Sequence, residues 1–297
     1  MLHRVYGLVL DSEVPLPELP AADGAPDVSF ALDPGPLGPR EASWFRSSEW
    51  LACARTERGI LFRFPELADF LVDTAGLRVL ASPFAGTTDD MLRHLLLDQV
   101  LPLVLGLRGL EALHATAVRT ENGVCAFLGE AGAGKSTLAA SFVAAGHEIV
   151  CDDCLRITVR DSSVLATPGY PGLRLHESSC SLLDGMAAAP YASKWRLVPV
   201  APFAPGEAPL ARLYALERGD VAAIEPLAPR EAFMRLVAAA FRLDPTDRRA
   251  VERQHGFLGR LLARVPLRRL RVPQGIERVA EARAAVLSDS ASGLSAR

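Results

Sequence analysis

The residues best suited to chemistry form a glycine-rich run near the middle of the chain. The run fits G-x-x-x-x-G-K-[ST], the phosphate-binding or Walker A pattern, at every fixed position. It consists of Gly129, Glu130, Ala131, Gly132, Ala133, Gly134, Lys135, Ser136 and Thr137. In such a loop the backbone N–H groups face the phosphates, the lysine reaches the β- and γ-phosphates, and the hydroxyl binds Mg²⁺. The run therefore predicts a site for ATP, or another nucleoside triphosphate, and Mg²⁺.

The segments that flank this run agree with a phosphate-binding loop. Residues 124–128 form a short apolar stretch typical of a buried strand, and residues 137–145 predict a helix that ends at Gly146. A flexible turn between strand and helix is the structural alternative. A dinucleotide fingerprint fits less well, because Thr137 occupies the place of its third glycine. Lys135 is also one of only two lysines in a chain whose basic residues are otherwise arginines, which favours a specific need for a compact ammonium.

Two adjacent acids, Asp152 and Asp153, follow the next predicted strand, residues 147–151. A right-handed strand–helix–strand crossover places this strand parallel to residues 124–128, so that both strands end at one edge of the sheet. Ligands of open α/β sheets bind beyond that edge. One aspartate can therefore orient Mg²⁺ while the other accepts a proton from an attacking hydroxyl. A solvated Asp-Asp turn is the structural alternative.

His114 is the third candidate, and a predicted hairpin brings it to the same edge. Asn122 and Gly123 between two apolar runs predict a two-residue turn in which Glu121 faces Val124. Counting outward from this turn, His114 is level with the first residues of the phosphate loop. Its imidazole could stabilise developing charge or position an acid. Alternatively, it is a structural histidine bonded to a backbone carbonyl.

Composition limits the remaining options. The chain has 297 residues, a net charge of −3 and 49% hydrophobic residues, which is typical of a globular protein without a general attraction to nucleic acid. Five cysteines without framework spacing favour a reducing, cytoplasmic setting. The pair Cys151 and Cys154 is interpreted as buried rather than as a redox or zinc site. The most apolar segment, residues 91–107, carries charged residues and is interpreted as a buried helix rather than a membrane span.

The pattern along the chain predicts two domains. Residues 1–88 combine short strands (5–10, 28–32, 60–64 and 77–81) with loops rich in proline and glycine, and predict a β-rich domain. Residues 89–287 have α/β character, and residues 288–297 are expected to form a flexible tail. A segment between Met186 and Pro209, rich in alanine and proline, is expected to be a loop.

The order of His114, the loop and the Asp152-Asp153 pair resembles the catalytic core of the HPr kinase/phosphorylase family. That resemblance implies a P-loop kinase domain related to ATP-dependent phosphoenolpyruvate carboxykinase, preceded by a smaller β-rich α+β domain. It implies catalytic roles for Asp152, Asp153, His114 and Lys135, with Asp152 as the base. It also implies that Asp153 joins Ser136 in binding the metal.

Outside this core the chain differs from the HPr kinases themselves. Instead of a Glu-Ile-Arg-Gly segment it has residues 168–175, with the sequence PGYPGLRL. That segment and the opening Tyr6-Gly7-Leu8 resemble HPr-kinase-related proteins of ribosomal peptide pathways, including kinases that phosphorylate a serine of a lasso-peptide precursor. The resemblance implies an ATP- and Mg²⁺-dependent serine kinase acting on a precursor peptide or small protein. It leaves homo-oligomers open, and implies neither a nucleic-acid nor a membrane partner.

Two other functions remain compatible with these residues. One is a kinase for the hydroxyl of a small metabolite, and the other is a nucleotide-gated regulatory protein that hydrolyses ATP slowly. The candidate substrate-binding residues are Lys194, Arg196, Arg174 and Glu177. For Lys194 and Arg196, a solvated basic pair beside a packed Trp195 is the alternative.

Overall fold

The computed structural model describes residues 1–38, 44–183, 188–191, 194–198, 200–244 and 246–292. Contacts between Cα atoms divide the chain into two compact units. The first unit consists of Met1–Leu110 and Phe241–Val251, and the second consists of Glu111–Ala240 and Glu252–Arg297. Within the described residues, no helix is both long enough and apolar enough to cross a membrane.

The first unit is built on one sheet of eight strands. Its elements are β1 (Leu2–Val5), β2 (Leu8–Ser12), β3 (Val28–Leu32), β4 (Trp44–Ser47), β5 (Ala52–Thr56), β6 (Gly59–Phe64), β7 (Ala68–Val72), β8 (Arg78–Pro83), α1 (Asp89–His94) and α2 (Leu101–Leu107). The strand order is β1-β2-β3-β8-β7-β6-β5-β4. A π-helical turn, Leu95–Val100, joins the two helices. Residues 5–10, predicted as one strand, instead contain the turn between β1 and β2, because Tyr6 and Gly7 both have positive φ.

The helical segment after residue 88 belongs to this first unit, whereas the sequence placed it in the second domain. Thr88 caps α1, since its Oγ1 accepts from the Met91 backbone N–H at 3.3 Å. The segment is held to the sheet region by an ion pair of 2.7 Å between Arg93 and Glu18, and by a hydrogen bond from Tyr6 Oη to the Leu97 carbonyl. These contacts attach the helical segment to residues that precede it in the same unit.

The second unit contains a nine-stranded sheet, a three-stranded sheet and five helices within the described residues. Its elements are β9 (Ala112–Leu113), β10 (Thr116–Thr120), β11 (Gly123–Leu128), α3 (Lys135–Ala144), β12 (Glu148–Cys151), β13 (Leu155–Val159), β14 (Val164–Thr167), β15 (Leu173–Leu175), α4 (Glu177–Cys180), β16 (Ala188–Tyr191), β17 (Lys194–Leu197), β18 (Ala208–Gly219), β19 (Ala223–Pro226), α5 (Pro229–Ala239), α6 (Arg248–Leu262, in this unit from Glu252), β20 (Leu267–Pro273) and α7 (Val279–Ser292).

Helices cover both faces of the large sheet, as the alternation of its buried residues requires. On β11, Cys125 and Phe127 pack with residues of α3 and α7, whereas Ala126 and Leu128 pack with residues of α5 and α6. A strand that is buried on both faces has a continuous run of apolar residues in its sequence. Residues 124–128 could be recognised as a strand for this reason. The mixed α/β class predicted for this half is confirmed.

The large sheet has the order β12-β10-β11-β18-β14-β13-β9, with β20 also paired to β18. Because β10 is antiparallel to both β11 and β12, these two strands run in the same direction, as predicted. They are not neighbours, however, since β10 lies between them. Both still end at one edge of the sheet, which brings the loop after β11 and the aspartates after β12 together.

The hairpin between β10 and β11 differs from the predicted register. Thr120 pairs with Gly123, so the two turn residues are Glu121 and Asn122 and not Asn122 and Gly123. Gly123 belongs to the strand at φ 108°, and a Cβ there would lie 2.8 Å from the Pro209 carbonyl oxygen. The glycine is therefore required by the close approach of the neighbouring chain and not by a tight turn.

The structure of this unit differs from the sequence-based predictions at three further places. His114 lies between two short strands, β9 and β10, instead of within one continuous strand. Lys194 begins β17 of the small sheet, whose order is β15-β17-β16, whereas a loop was expected. Residues 288–292 continue α7 to Ser292, and the remainder of the predicted tail lies outside the described residues.

Candidate active site

The glycine-rich loop that was predicted to bind phosphate joins β11 to α3, and its backbone leaves the N-terminal N–H groups of α3 without a side-chain cap. Gly132 and Gly134 have φ of 80° and 94°, and Gly134 is the residue immediately before the helix. Successive N–H groups in such a turn form a concave site for an anion, and the positive end of the helix adds to it. A cavity of about 320 Å³ lies against the loop. The backbone therefore fits a bound phosphate.

Residues from five separate segments line this cavity. The described lining residues are His114, Ala131, Gly132, Ala133, Gly134, Lys135, Ser136, Thr137, Asp153, Arg174, His176 and Lys194. The structure thus brings together most of the residues singled out in the sequence. Arg196, which is buried, and Glu177, which is exposed, are not among the described lining residues.

Lys135 is buried at the base of the loop. Its Nζ donates to the carbonyl oxygens of Gly129 at 2.7 Å and Glu130 at 3.3 Å. Burial lowers the pKa of Lys135, the carboxylate of Asp152 opposes this, and the charges of Lys194 and Arg174 lower the pKa further. An anionic phosphate in the cavity would satisfy this cluster of cations.

Asp152 is buried and bonded on both of its carboxylate oxygens. Its Oδ1 accepts from Thr116 Oγ1 at 2.7 Å and from Ser136 Oγ at 2.9 Å, and its Oδ2 accepts from the Arg174 backbone N–H at 3.0 Å. The carboxylate is therefore fixed beside the loop hydroxyl. Thr116 was not recognised in the sequence, since a threonine in a strand carries no signal until the hairpin register is known.

Asp153 lies on the cavity side of the pair. It has a positive φ of 66°, a conformation that costs a non-glycine residue energy and is frequent at functional sites. Its carboxylate forms an ion pair with the Arg174 guanidinium, and His114 Nε2 lies 3.8 Å from its Oδ1. The two adjacent aspartates therefore have different surroundings, since one is bonded inside the fold and the other faces the cavity.

One side-chain contact connects the loop helix with the segment after β15. Thr137 Oγ1 and Ser179 Oγ lie 3.0 Å apart, and His176 on the same segment lines the cavity. His176 was not recognised from the sequence. Its only signal is its position two residues after Arg174, at the end of a strand that reaches the site.

His114 is held by its backbone N–H, which donates to the Ala239 carbonyl at 2.6 Å. Partial burial of the ring and the nearby charge of Lys135 lower the pKa of His114 to about 4. The carboxylate of Asp152 acts in the opposite direction and raises it. The imidazole is consequently neutral at neutral pH. It can donate or accept a hydrogen bond there without carrying charge.

We expect this lowered pKa to appear in a pH titration. Because the folded value lies below the ordinary value of 6.5, the contribution of His114 to stability is present above pH 6.5 and is lost as the pH falls toward 4. The side chain is 42% exposed, so water reduces the size of this effect. NMR titration of the histidines, with His114→Gln for assignment, measures it. A His114 pKa near 6.5 would contradict the expectation.

Similarity to known proteins is limited. No model of a known protein family matches the sequence. No sequence among the curated proteins matches it. Among solved structures, the chain is similar to the Hpr(Ser) kinase/phosphatase from Coxiella burnetii, with 12% identity and a TM-score of 0.33, over 60% of this chain and 95% of that chain.

Proposed function

We propose that this protein is an ATP- and Mg²⁺-dependent phosphotransferase that transfers the γ-phosphoryl group to a hydroxyl. The observation that carries this proposal is the division between the two aspartates: Asp152 is bonded to the loop hydroxyl of Ser136, while Asp153 faces the cavity. Nucleotide binding alone needs only the first. An additional carboxylate at the cavity is what a reaction with an acceptor hydroxyl requires.

Ser136 and Asp152 are the residues suited to Mg²⁺. Both present oxygen atoms, and P-loop proteins hold Mg²⁺ through the loop hydroxyl and a strand-end aspartate. The described residues contain no group of three or more His, Cys, Asp or Glu side chains suited to a metal. Mg²⁺ retains waters and phosphate oxygens as ligands, so one hydroxyl and one carboxylate are sufficient protein ligands for it. When bound, the ion neutralises charge on the phosphates.

Asp153 is the residue we assign as the base. It lines the cavity, and His114 lies beside it to orient the carboxylate or the phosphoryl group. This assignment exchanges the roles that the family resemblance implies, in which Asp152 is the base and Asp153 binds metal with Ser136. The surroundings of the two carboxylates favour the exchange, because three donors hold the buried Asp152 beside the loop hydroxyl, whereas Asp153 faces the cavity where an acceptor would bind.

The acceptor that we propose is a serine hydroxyl of a peptide or small protein, with a ribosomal precursor of the lasso type as the first candidate. The support for this choice is the resemblance of residues 168–175 and of the N-terminal segment to the peptide-tailoring kinases. Arg174 and Lys194, which line the cavity, are suited to bind anionic groups of nucleotide or acceptor. Assembly into homo-oligomers belongs to the same proposal.

Transfer of label from γ-labelled ATP tests the proposal. The protein is incubated with Mg²⁺ and a precursor peptide encoded beside its gene, and with the same peptide carrying alanine at each serine. We expect label on the serine peptide and none on the alanine version. Label on a small metabolite instead would support the metabolite kinase. Release of phosphate to water alone, with no labelled acceptor, would support the nucleotide-gated regulator.

A further inference from the structure

Arg174 contacts both aspartates of the candidate site through different parts of the residue. Its backbone N–H donates to Asp152 Oδ2 at 3.0 Å, and its guanidinium forms an ion pair with Asp153. Both members of the ion pair are largely buried, with side-chain exposures of 18% and 17%. A charge pair shielded from water in this way is stronger than a surface pair. It therefore affects whether the Asp153 carboxylate is available to an acceptor hydroxyl.

The ion pair has a consequence for the proposed base. A carboxylate held by a guanidinium is stabilised in its charged form and accepts a proton less readily. Asp153 must therefore lose this partner, or share it, before it can take the proton of an acceptor hydroxyl. In this structure the ion pair with Arg174 keeps the Asp153 carboxylate from acting as a base.

Arg174 also has a second set of neighbours within reach. It lines the same cavity as Lys135 and Thr137, and its charge contributes to lowering the pKa of both His114 and Lys135. Its strand, β15, pairs with β17, which carries the cavity residue Lys194. A long side chain with a planar, forked head can exchange a carboxylate for phosphate oxygens, since both offer paired acceptors.

We propose that Arg174 is a latch on the base. Without nucleotide its guanidinium holds Asp153, and with a triphosphate bound it moves to the γ-phosphoryl oxygens, so that Asp153 becomes available only when the phosphoryl donor is present. This inference rests on the proposed function, because it takes the cavity as a triphosphate site and Asp153 as its base. It adds a regulatory step that neither the phosphate loop nor the aspartate pair requires.

Nucleotide affinity tests the latch without any measurement of transfer. Binding of ADP and of a non-hydrolysable ATP analogue is measured by calorimetry, with Mg²⁺ and without acceptor, for wild type, Arg174→Gln, Asp153→Asn and the double variant. We expect Arg174→Gln to reduce the preference for the ATP analogue over ADP by about tenfold, with little change for ADP. We expect Asp153→Asn to increase that preference by about tenfold, because Arg174 no longer has to leave a carboxylate.

The double variant decides between the latch and simple repulsion. If Asp153→Asn acts by releasing Arg174, its effect disappears in the Arg174→Gln background. If it acts by removing a negative charge near the γ-phosphate, its effect is the same in both backgrounds, and the latch is overturned. Equal losses for ADP and the ATP analogue in Arg174→Gln would assign Arg174 a structural role and also overturn it. Arg119→Gln, which alters a surface pair with Glu148, is the matched control and should leave the preference unchanged.

A conservative variant keeps the test usable if Arg174→Gln does not fold. Arg174→Lys retains the charge and loses the forked head, so an intermediate preference for the ATP analogue supports the latch and a wild-type preference contradicts it. The two proposals fail separately. A protein that shows the expected preferences but labels no acceptor retains the movement of Arg174 from Asp153 to the γ-phosphoryl oxygens and loses the kinase function. A protein that transfers label without these preferences retains the kinase function and loses the latch.

Discussion

Replacing Lys135 by alanine is expected to reduce nucleotide affinity and phosphoryl transfer together, by roughly two to three orders of magnitude. The lysine is 6% exposed and lies among residues 131–137 that line the cavity. Its ammonium is the cation closest to the loop carbonyls of Gly129 and Glu130, so it is already positioned where the β- and γ-phosphates would lie. Calorimetry with ADP and ATP analogue, followed by steady-state kinetics, measures both quantities.

The Lys135 experiment needs a control for folding, because a buried side chain that donates to two loop carbonyls also supports the loop. Circular dichroism and thermal unfolding of Lys135→Ala serve this purpose, with Arg119→Ala as a variant that removes a cation from the same unit at the turn end of the β10–β11 hairpin, opposite the loop. Lys135→Arg should recover little, since a planar fork does not reproduce a compact ammonium in a buried site. Unchanged affinity in a folded Lys135→Ala would exclude the phosphate-loop interpretation.

Asp153→Asn is expected to lower kcat by roughly 10²–10⁴-fold while leaving nucleotide bound. An amide has nearly the shape of the carboxylate but cannot accept the acceptor's proton. Asp152→Asn should act differently, because it replaces the carboxylate that is bonded to Ser136 by a neutral amide, which binds Mg²⁺ more weakly. We expect this second variant to require a higher Mg²⁺ concentration for half-maximal activity.

Measuring kcat against Mg²⁺ concentration for both asparagine variants separates the two roles. The control is Glu148→Gln on β12, which removes a carboxylate from the same strand that leads to the aspartates. If Asp152→Asn abolishes transfer at every Mg²⁺ concentration while Asp153→Asn remains active, the order implied by the family resemblance is correct and the exchange that we propose is wrong.

The parts of this structure that the sequence predicted well are local ones. The strand before the loop, the loop and the helix that ends before Gly146 follow from an apolar run, a glycine pattern and a helix stop within about twenty residues. The position of Asp152 and Asp153 at the same edge needed one rule more, that a strand–helix–strand crossover joins parallel strands. That rule fixes direction and edge, but it does not say which strand is the neighbour.

The parts that could not be predicted depend on contacts distant in the sequence. Asn122-Gly123 is a strong turn signal, yet Gly123 is required by the approach of the Pro209 carbonyl, which comes from a strand more than eighty residues later. Lys194 lies in a segment rich in alanine and proline, yet its strand forms by pairing with β15. Likewise, the sequence of the helix after residue 88 does not indicate which unit it joins.

The separate surroundings of the two aspartates also lie beyond the sequence. Neighbouring residues of one type cannot be distinguished by composition, and the difference arises from the positive φ of Asp153 together with the donors that meet Asp152. Those donors come from β10, the loop helix and β15. Three elements, each placed by its own packing, therefore decide which carboxylate faces the cavity.

The insertion of β10 between β11 and β12 sets a length scale for the whole site. Strands directly paired lie about 4.8 Å apart, so the strand that leads to the loop and the strand that leads to the aspartates are separated by about 10 Å. Backbone pairing fixes this span, which no side-chain substitution can shorten. Thr116, at the end of the intervening strand, lies within this span and donates to Asp152. The sheet therefore sets the approximate distance between the phosphate donor and the base, and side-chain conformations make only small changes to it.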